Sequence, residues 1–179
     1  GLALDLNNPK SKAVLEDLVR WADVVTDSFS AGAMKKWGLD YEGLRAINPK
    51  IIAASSCLMG QTGPMAKYAG FGTMAAAIAG FYPITGWADR TPSGPYSAFT
   101  DYGSPRFTVL ALVAALHHRI KTGEGQYIDF SQLEGALHFL APALLDKEVN
   151  GVVATRMGNR DATFAPQNAY PCIGEDVWV

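Results

Sequence analysis

The alternation of strand-like and helix-like segments constrains the fold of this chain more than any other feature of its sequence. Short runs with the apolar pattern of strands occur at residues 2–6, 23–27 and 51–57. Helical patterns, with apolar side chains three or four positions apart, occupy residues 9–22, 33–37 and 41–47. Because such alternation is typical of strands joined by helical crossovers, we predict an α/β fold with a parallel sheet and helices on its faces.

The second half of the sequence continues with longer helices. Helical patterns cover residues 71–81, 103–120 and 131–145, and a further strand is predicted at residues 126–130. The middle of the 103–120 helix is apolar all round, which predicts burial on every side. Ser131 and Glu134 provide a capping-box start for the last helix. After residue 149 the pattern weakens.

The composition indicates a globular protein that binds neither nucleic acid nor a membrane. The chain has 179 residues, of which 49% are hydrophobic and 18% charged, enough apolar material for one sizeable core. A net charge of -2 leaves no basic stripe for nucleic acid. The longest apolar stretches, at residues 71–84 and 107–116, are interrupted and shorter than the ~20 residues that span a bilayer.

The cysteines and the chain ends set further expectations. Only Cys57 and Cys172 are present, which gives no disulfide framework and predicts a reducing, cytoplasmic location. No set of Cys, His and Asp residues has the spacing of metal ligands, so we expect no metal site. The sequence begins at Gly1 without Met and stops in the apolar run before Val179, so we expect a fragment of a longer protein.

Asp101 is the main candidate for chemistry. It lies between a connection rich in Gly and Pro, residues 82–95, and the start of the apolar helix at Gly103. A carboxylate in this position can cap the helix, because free backbone N–H groups and the helix dipole favour it. The same carboxylate, held against those donors, can instead attack a thioester as a nucleophile. The local sequence leaves both interpretations open.

The loop Gly60-Gln61-Thr62-Gly63-Pro64 allows two interpretations. Its glycines let a backbone approach an anion, as in phosphate-binding loops, but the Lys-Ser/Thr pair of a P-loop is absent. A plain turn after the strand at residues 51–57 explains the same residues, and we favour it. No Gly-x-Ser-x-Gly nucleophile elbow is present, so a hydrolase triad lacks support.

Several short motifs, each modest alone, resemble one known family through their order and spacing. They are Ala22-Asp23-Val24-Val25, Gly38-Leu39-Asp40-Tyr41-Glu42, Ile47-Asn48-Pro49-Lys50-Ile51-Ile52, the loop at residues 60–64, and His118-Arg119 running into Thr122-Gly123-Glu124-Gly125-Gln126-Tyr127-Ile128-Asp129. Together they resemble the family III coenzyme A transferases, which include formyl-CoA transferase, carnitine CoA-transferase and α-methylacyl-CoA racemase. The resemblance covers nearly the whole chain.

The resemblance implies a fold and an assembly. Family members have a large Rossmann-like α/β domain and a smaller domain. Residues 1–150 are expected to form part of the large domain, which binds coenzyme A and carries the catalytic residue. Residues 151–179 are expected to begin a linker or the small domain. Two chains of the family interlock, so a homodimer or a heterodimer is implied.

The resemblance also implies a reaction. In the family, an aspartate just before the long apolar helix is catalytic, and Asp101 stands at that place. The implied activity moves coenzyme A from an acyl-CoA donor to a carboxylic acid. Asp101 would form a mixed anhydride and then an aspartyl-CoA thioester, which the acceptor carboxylate resolves. The substrate brings coenzyme A itself, and no metal or redox cofactor is implied.

Two segments are implied as coenzyme A contacts. Family members use an Asn-Phe pair and a Pro-Gly turn, whereas this chain has Ser28-Phe29-Ser30 before Gly32, so the Phe is kept and the Asn is not. Phe29 would pack on the adenine, with Ser28 and Ser30 as polar contacts and Lys36 near the phosphates. The second wall of the site is implied at Ala69, Gly70, Phe71 and Gly72.

Phe71 bears on two alternative functions. In the racemase branch of the family a histidine occupies this place and exchanges a proton with the substrate, which Phe71 cannot do. An acyl-CoA racemase or epimerase is therefore disfavoured as the alternative. A non-catalytic coenzyme A-binding subunit of a heteromeric transferase is the third hypothesis, which the missing Asn before Phe29 leaves open.

Overall fold

A three-stranded parallel sheet forms the centre of the protein, whose structure here is a computed structural model that describes residues 1–179. The strands are β1 (Val24–Asp27), β2 (Ile52–Cys57) and β3 (Tyr127–Ser131), in the spatial order β1-β2-β3. β2 is the central strand and is buried along almost its whole length. The predicted α/β class with a parallel sheet is confirmed.

Helices surround this sheet. In chain order they are α1 (Pro9–Trp21), α2 (Ala33–Lys36), α3 (Tyr41–Ile47), α4 (Gly72–Ala79), α5 (Phe81–Ile84), α6 (Phe99–Gly103), α7 (Pro105–Thr122), α8 (Gln132–Leu137), a 3-10 turn (His138–Leu140) and α9 (Ala141–Asn150). None of them combines the length and the apolar character that crossing a bilayer requires.

Local sequence signals set several of these boundaries. The Asn8 side chain accepts a hydrogen bond from the Lys10 N–H at 3.0 Å, and Pro9 occupies the first turn of α1. Ser131 Oγ accepts from the Glu134 N–H at 3.2 Å, which confirms the predicted N-cap of α8. The 71–81 helix is divided, because Gly80 adopts φ +104° between α4 and α5.

Two apolar clusters hold the layers together. One joins α1 and α3 to the start of β2 through Val19, Leu44, Ile51 and Ala53. The other joins α4, α5, α8 and the 3-10 turn through Ala76, Phe81, Ala136 and Leu140. Alanines in α4 and α8 let these helices approach closely, which positions the segments around Asp101.

The predicted strand at residues 2–6 is wrong. These residues make no ladder with the sheet, whose edge on that side is β1. An alternating pattern produces a strand only where a neighbouring strand supplies hydrogen bonds. Leu6 instead lines an apolar pocket with Leu15 and Leu39.

The burial predicted on every side of the 103–120 helix is also wrong for this chain. Within α7 only Thr108 and Ala115 are buried, and α7 packs against β2 and β3 on one side. The opposite side exposes apolar residues whose exposed fractions lie between 58% and 81%: Val109, Leu110, Val113 and Ile120. Apolar composition shows that a helix face needs a cover, but it does not show which chain segment covers it.

Residues 151–179 contain no helix and no strand, only an isolated antiparallel bridge between Pro171 and Trp178. Arg156 joins this segment to the 82–95 connection by donating to Trp87 O at 3.2 Å. The division at residue 150 into a large domain and a following unit stays a prediction.

Candidate active site

A cleft of about 300 Å³ opens at the carboxyl ends of β1 and β2. This is where parallel α/β sheets bind their ligands, because the loops that follow the strands converge there. The cleft is lined by Ser28, Phe29, Ser30, Ala31, Ser56, Cys57, Leu58, Met59, Ala66, Tyr68, Ala69, Gly70, Phe71, Asp101 and Gln132.

Asp101 contributes the only acidic side chain of the cleft lining. It is the third residue of α6 and is exposed, and its Oδ2 accepts a hydrogen bond from the Gly72 N–H at 3.3 Å. Gly72 is the first residue of α4, whose N-cap residue Phe71 supplies no side-chain cap. Asp101 therefore stabilises the N-terminus of α4, a helix 29 positions earlier in the chain.

This contact corrects the capping interpretation of Asp101. The long apolar helix α7 begins at Pro105 after Ser104 and has no side-chain cap. A carboxylate inside α6 cannot cap α7, because it lies a full turn before the α7 N-terminus. The N–H donor that holds Asp101 comes from α4 instead.

The backbone at Gly72 approaches Asp101 too closely for any side chain. A Cβ atom at Gly72 would lie 2.7 Å from Asp101 Cγ and 2.9 Å from Ala98 O. Both distances are shorter than real Cβ contacts, so α4 or α6 would have to move. A glycine at this position is what allows the carboxylate to reach the helix N-terminus.

A buried hydroxyl links Asp101 to another cleft residue. Thr100 is fully buried, and its Oγ1 lies 3.3 Å from both Gly72 O and Gln132 Oε1. Ser104, also fully buried, donates from Oγ to Gln132 O at 2.8 Å. The segment that carries Asp101 thus also fixes Gln132.

The turn after β1 forms the opposite wall of the cleft. Asp27 Oδ1 accepts from the Phe29 N–H at 3.1 Å, and Asp27 Oδ2 accepts from Ser55 Oγ at 2.6 Å. Phe29 is 49% exposed, and its ring meets Trp37 edge to face at a centroid distance of 5.7 Å. The turn is fixed by its own hydrogen bonds, while the Phe29 ring keeps a face available to the cleft.

The structure brings most of the predicted site residues together and leaves two outside the cleft lining. Gly72 lies behind the cleft wall, bonded to Asp101, and Lys36 is at the exposed end of α2, outside the lining. The predicted residues that line the cleft with Asp101 are Ser28, Phe29, Ser30, Ala69, Gly70 and Phe71.

The loop at residues 60–64 is occupied by a side chain of the protein. Asp129 Oδ1 accepts from the Gln61 N–H at 2.8 Å, and Asp129 Oδ2 accepts from Thr62 Oγ1 at 3.2 Å. Two donors that an anion could use are therefore already engaged. This arrangement favours a structural turn over a phosphate-binding loop.

Cys57 lines the cleft without the properties of a nucleophile. Burial raises the pKa of its thiol above the ordinary value of 9.0, and the nearby carboxylates of Asp27 and Asp129 raise it further, while a hydrogen bond from Gln61 opposes them. The thiol stays protonated at neutral pH, so its nucleophilicity is low. No three or more His, Cys, Asp or Glu side chains lie close enough together to hold a metal ion.

Sequence reasoning missed Gln132, Thr100 and Cys57 as parts of the site. Thr100 precedes Asp101 directly but carries no motif, and Gln132 is joined to Thr100 only by a tertiary contact. The capping box at Ser131 placed Gln132 at a helix start, at the end of a strand, which is a signal that could have identified it.

Comparison with known proteins now identifies the family. A family model described as CoA-transferase family III matches residues 1–179. The chain belongs to this family.

Relatives of known activity agree with this membership in family III. The succinyl-CoA–D-citramalate CoA-transferase of Chloroflexus aurantiacus is 35% identical over 170 residues, which cover 95% of this chain and 42% of that protein. The succinate–glutarate CoA-transferase of Agrobacterium fabrum is 37% identical over the same shares of the two chains. The family III chain thus spans less than half the length of these relatives.

The fold agrees with the family as well. A crystal structure of a CAIB/BAIF family protein from Brucella suis superposes with a TM-score of 0.88 and 35% sequence identity, and the match covers 93% of this family III chain and 44% of the other. The resemblance to family III CoA-transferases, and the fold that it implied, are confirmed.

Proposed function

We propose that the protein containing this chain transfers coenzyme A from an acyl-CoA donor to an organic acid, with Asp101 as the covalent nucleophile. The observation that supports this most directly is the hydrogen bond that Asp101 Oδ2, in the cleft lining, accepts from the Gly72 N–H behind it. Asp101 Oδ1 has no hydrogen-bond partner within the chain, so it is the oxygen available for attack. The family membership supports coenzyme A transfer as the reaction class.

The geometry of Asp101 suits each step of such a transfer. Oδ1 attacks the acyl carbon of the donor thioester and forms a mixed anhydride, and the coenzyme A thiolate leaves. The thiolate then attacks Asp101 Cγ, which places negative charge on Oδ2, the atom that the Gly72 N–H already contacts. The donor acid leaves, and the acceptor carboxylate attacks the aspartyl-CoA thioester at the same carbon. The coenzyme A thiolate, expelled by that attack, finally takes up the acceptor acyl group and regenerates Asp101.

The two walls of the cleft are the proposed coenzyme A contacts. Phe29 supplies a half-exposed ring for the adenine, and Ser28 and Ser30 supply polar groups beside it. Ala69, Gly70 and Phe71 line the cleft together with Asp101, and Gly72 lies behind them. Lys36 lies outside the lining, where it is available to a phosphate group that extends out of the cleft.

We infer dicarboxylic acids as the substrate class. The two relatives named above act on succinyl-CoA with D-citramalate, and on succinate with glutarate, and all of these acids carry two carboxyl groups. Succinyl-CoA is therefore the donor to try first, and glutarate is the first acceptor.

Intact-protein mass spectrometry of the full-length protein tests this proposal. Incubation with succinyl-CoA, followed by trapping with hydroxylamine or borohydride, should give a mass change that maps to the Asp101 peptide. Asp101→Asn should give none. An unmodified Asp101 in protein that binds the thioester would overturn the nucleophile and favour a non-catalytic subunit.

The racemase alternative gains no support from the cleft. Phe71, 76% exposed, stands next to Gly72 where an acid or base would be needed. The remaining titratable side chains of the lining are Cys57 and Tyr68. Pairing of two chains, identical or different, and a cytoplasmic location stay predictions. The exposed apolar side of α7 is compatible with such pairing.

A further inference from the structure

Gln132 is the one neutral amide that faces the cleft beside Asp101. It is the first residue of α8 and follows directly on the carboxyl end of β3. Neither the family motifs nor the capping pattern assigns it a role. Its position at the mouth of the parallel sheet is one from which side chains contact ligands.

Gln132 is held in place by two hydroxyl groups of the segment that carries Asp101. Its Oε1 lies 3.3 Å from the Thr100 hydroxyl, and its backbone carbonyl accepts from Ser104 Oγ at 2.8 Å. Thr100 and Ser104 are both fully buried. The Thr100 contact positions the carboxamide, and the Ser104 contact fixes the backbone that carries it. Both residues belong to the segment that carries Asp101, which couples the positions of the two cleft side chains.

The amide nitrogen of the Gln132 side chain has no hydrogen-bond partner. Gln132 Nε2 makes no hydrogen bond within the chain, and it is not among the buried polar atoms that lack a partner, which are Ser56 Oγ and Thr108 Oγ1. Its N–H donors therefore reach the solvent of the cleft. Because Oε1 faces the Thr100 hydroxyl, Nε2 is the end of the carboxamide that is left for a ligand.

We propose that Gln132 is a second catalytic residue, whose Nε2 donates a hydrogen bond to the acyl oxygen of the thioester that Asp101 attacks. This inference rests on the proposed nucleophilic role of Asp101. In that step Asp101 Oδ1 forms a bond to the acyl carbon, and the carbonyl π electrons move onto the acyl oxygen. These electrons re-form the carbonyl bond as the C–S bond breaks, and the coenzyme A thiolate leaves with the electron pair of that C–S bond. No proton is transferred.

Negative charge develops on two different oxygen atoms during the reaction, and each oxygen then has its own hydrogen-bond donor. The Gly72 N–H serves Asp101 Oδ2 when the attack occurs at Cγ, and Gln132 serves the acyl oxygen when the attack occurs at the substrate carbon. A neutral amide suits the second task, because a fixed dipole stabilises developing charge without pairing permanently with the Asp101 carboxylate. Thr100 is the positioning residue that aims the amide.

The test measures the rate at which the Asp101 adduct forms, by rapid quench of the full-length protein with succinyl-CoA. Gln132→Leu removes the donor and keeps the size. It should slow adduct formation by roughly 100-fold, the scale of losing one such donor, while the KM for succinyl-CoA changes by less than about threefold. Gln167→Leu, at an exposed glutamine of the C-terminal segment, is the matched control and should react at the wild-type rate.

The pH dependence of the Gln132→Glu variant distinguishes a catalytic role from a structural one. The introduced carboxyl donates a hydrogen bond only when protonated, and the negative charge of Asp101 raises its pKa. The variant should therefore form the adduct faster as the pH falls from 8 to 5.5, whereas the wild-type rate should not rise. The cleft's other titratable side chains are Cys57 and Tyr68, and both are unchanged in this variant.

The outcomes separate this inference from the proposed function. A wild-type protein that forms no Asp101 adduct would refute the nucleophile, whatever Gln132 does. A wild-type adduct together with an unslowed Gln132→Leu variant, or with a higher KM alone, would overturn the catalytic role of Gln132. If Gln132→Leu fails to fold, the Gln132→Glu variant decides. A rate of adduct formation in that variant that does not rise with falling pH would overturn the catalytic role of Gln132.

Discussion

Asp101 Oδ2 and the Gly72 backbone N–H meet at 3.3 Å, across a gap of 29 residues in sequence. The contact joins α6 to the N-terminus of α4 and leaves Asp101 Oδ1 without a partner. One carboxylate oxygen is thus held by a helix N-terminus, and the other faces the cleft.

Asp101→Asn should abolish coenzyme A transfer while preserving the fold. The amide keeps the shape of the side chain and can still accept from Gly72, but it is a poor nucleophile. We expect a loss of at least roughly 10³-fold in kcat, as for other covalent nucleophiles, measured by chromatography of the acyl-CoA products. Asp89→Asn, at an exposed aspartate in the 82–95 connection, should stay at the wild-type rate. Comparable rates for the two variants would contradict the role of Asp101.

Gly72→Ala should damage the site through sterics alone. The new Cβ would lie 2.7 Å from Asp101 Cγ and 2.9 Å from Ala98 O, so α4 or α6 must shift and the hydrogen bond at 3.3 Å should be lost. We expect a decrease in kcat of roughly 100-fold, the scale of losing one oxyanion donor.

Gly103→Ala is the matched control for this clash. A Cβ at Gly103 would meet Phe99 at 3.4 Å, an ordinary van der Waals distance, and alanine favours the helix. The control variant should fold and retain activity. A fully active Gly72→Ala variant would show that the close approach to Asp101 is dispensable.

The two cysteines should react differently with iodoacetamide. Burial first, then the nearby carboxylates, raise the pKa of the Cys57 thiol above 9.0, so Cys57 holds less thiolate than an ordinary cysteine at any pH below that range. Cys172 is exposed and should be alkylated first at pH 8.5. Labelling of Cys57 should be slow there and should keep accelerating above pH 9, as peptide mass spectrometry would show. Faster labelling of Cys57 than of Cys172 at pH 8.5 would contradict the buried, protonated thiol.

The sequence was sufficient to predict the parts of the fold that depend on local patterns. Capping residues and apolar periodicity located α1, α3, β2 and the start of α8, because these signals lie within a few residues of the elements that they define. The strand expected at residues 2–6 failed for the opposite reason, since a strand depends on a partner elsewhere in the chain.

The candidate site also contains residues that the sequence could predict and residues that it could not. Asp101 was predicted from its place before the apolar helix and from the family resemblance, and its catalytic role stays a prediction. Its partner Gly72 was expected only as part of a coenzyme A wall. Thr100 and Gln132 carry no motif, and only the packing of α6 against α4 and α8 brings them together. The cover of α7 could not be predicted, because an apolar helix surface does not specify what packs on it.

Thr100 allows packing and hydrogen bonding to be separated with two variants. Its hydroxyl lies 3.3 Å from Gly72 O and from Gln132 Oε1, and its side chain is fully buried. Thr100→Val keeps the shape and removes the hydroxyl, whereas Thr100→Ser keeps the hydroxyl and removes one methyl group. The two variants therefore disturb different interactions at the same position.

We expect activity to distinguish the two variants. Thr100→Val should lower kcat by roughly 10-fold or more, with KM nearly unchanged, because Asp101 and Gln132 lose their common support. Thr100→Ser should lower the free energy of unfolding by about 1 kcal/mol through the lost methyl group, yet retain a kcat within about twofold of the wild type. Denaturant unfolding and steady-state kinetics measure the two quantities on the same samples. Thr100→Ser keeps the hydroxyl, so it should keep the activity if the hydroxyl is what matters. Equal losses of kcat in both variants would therefore mean that Thr100 acts through packing.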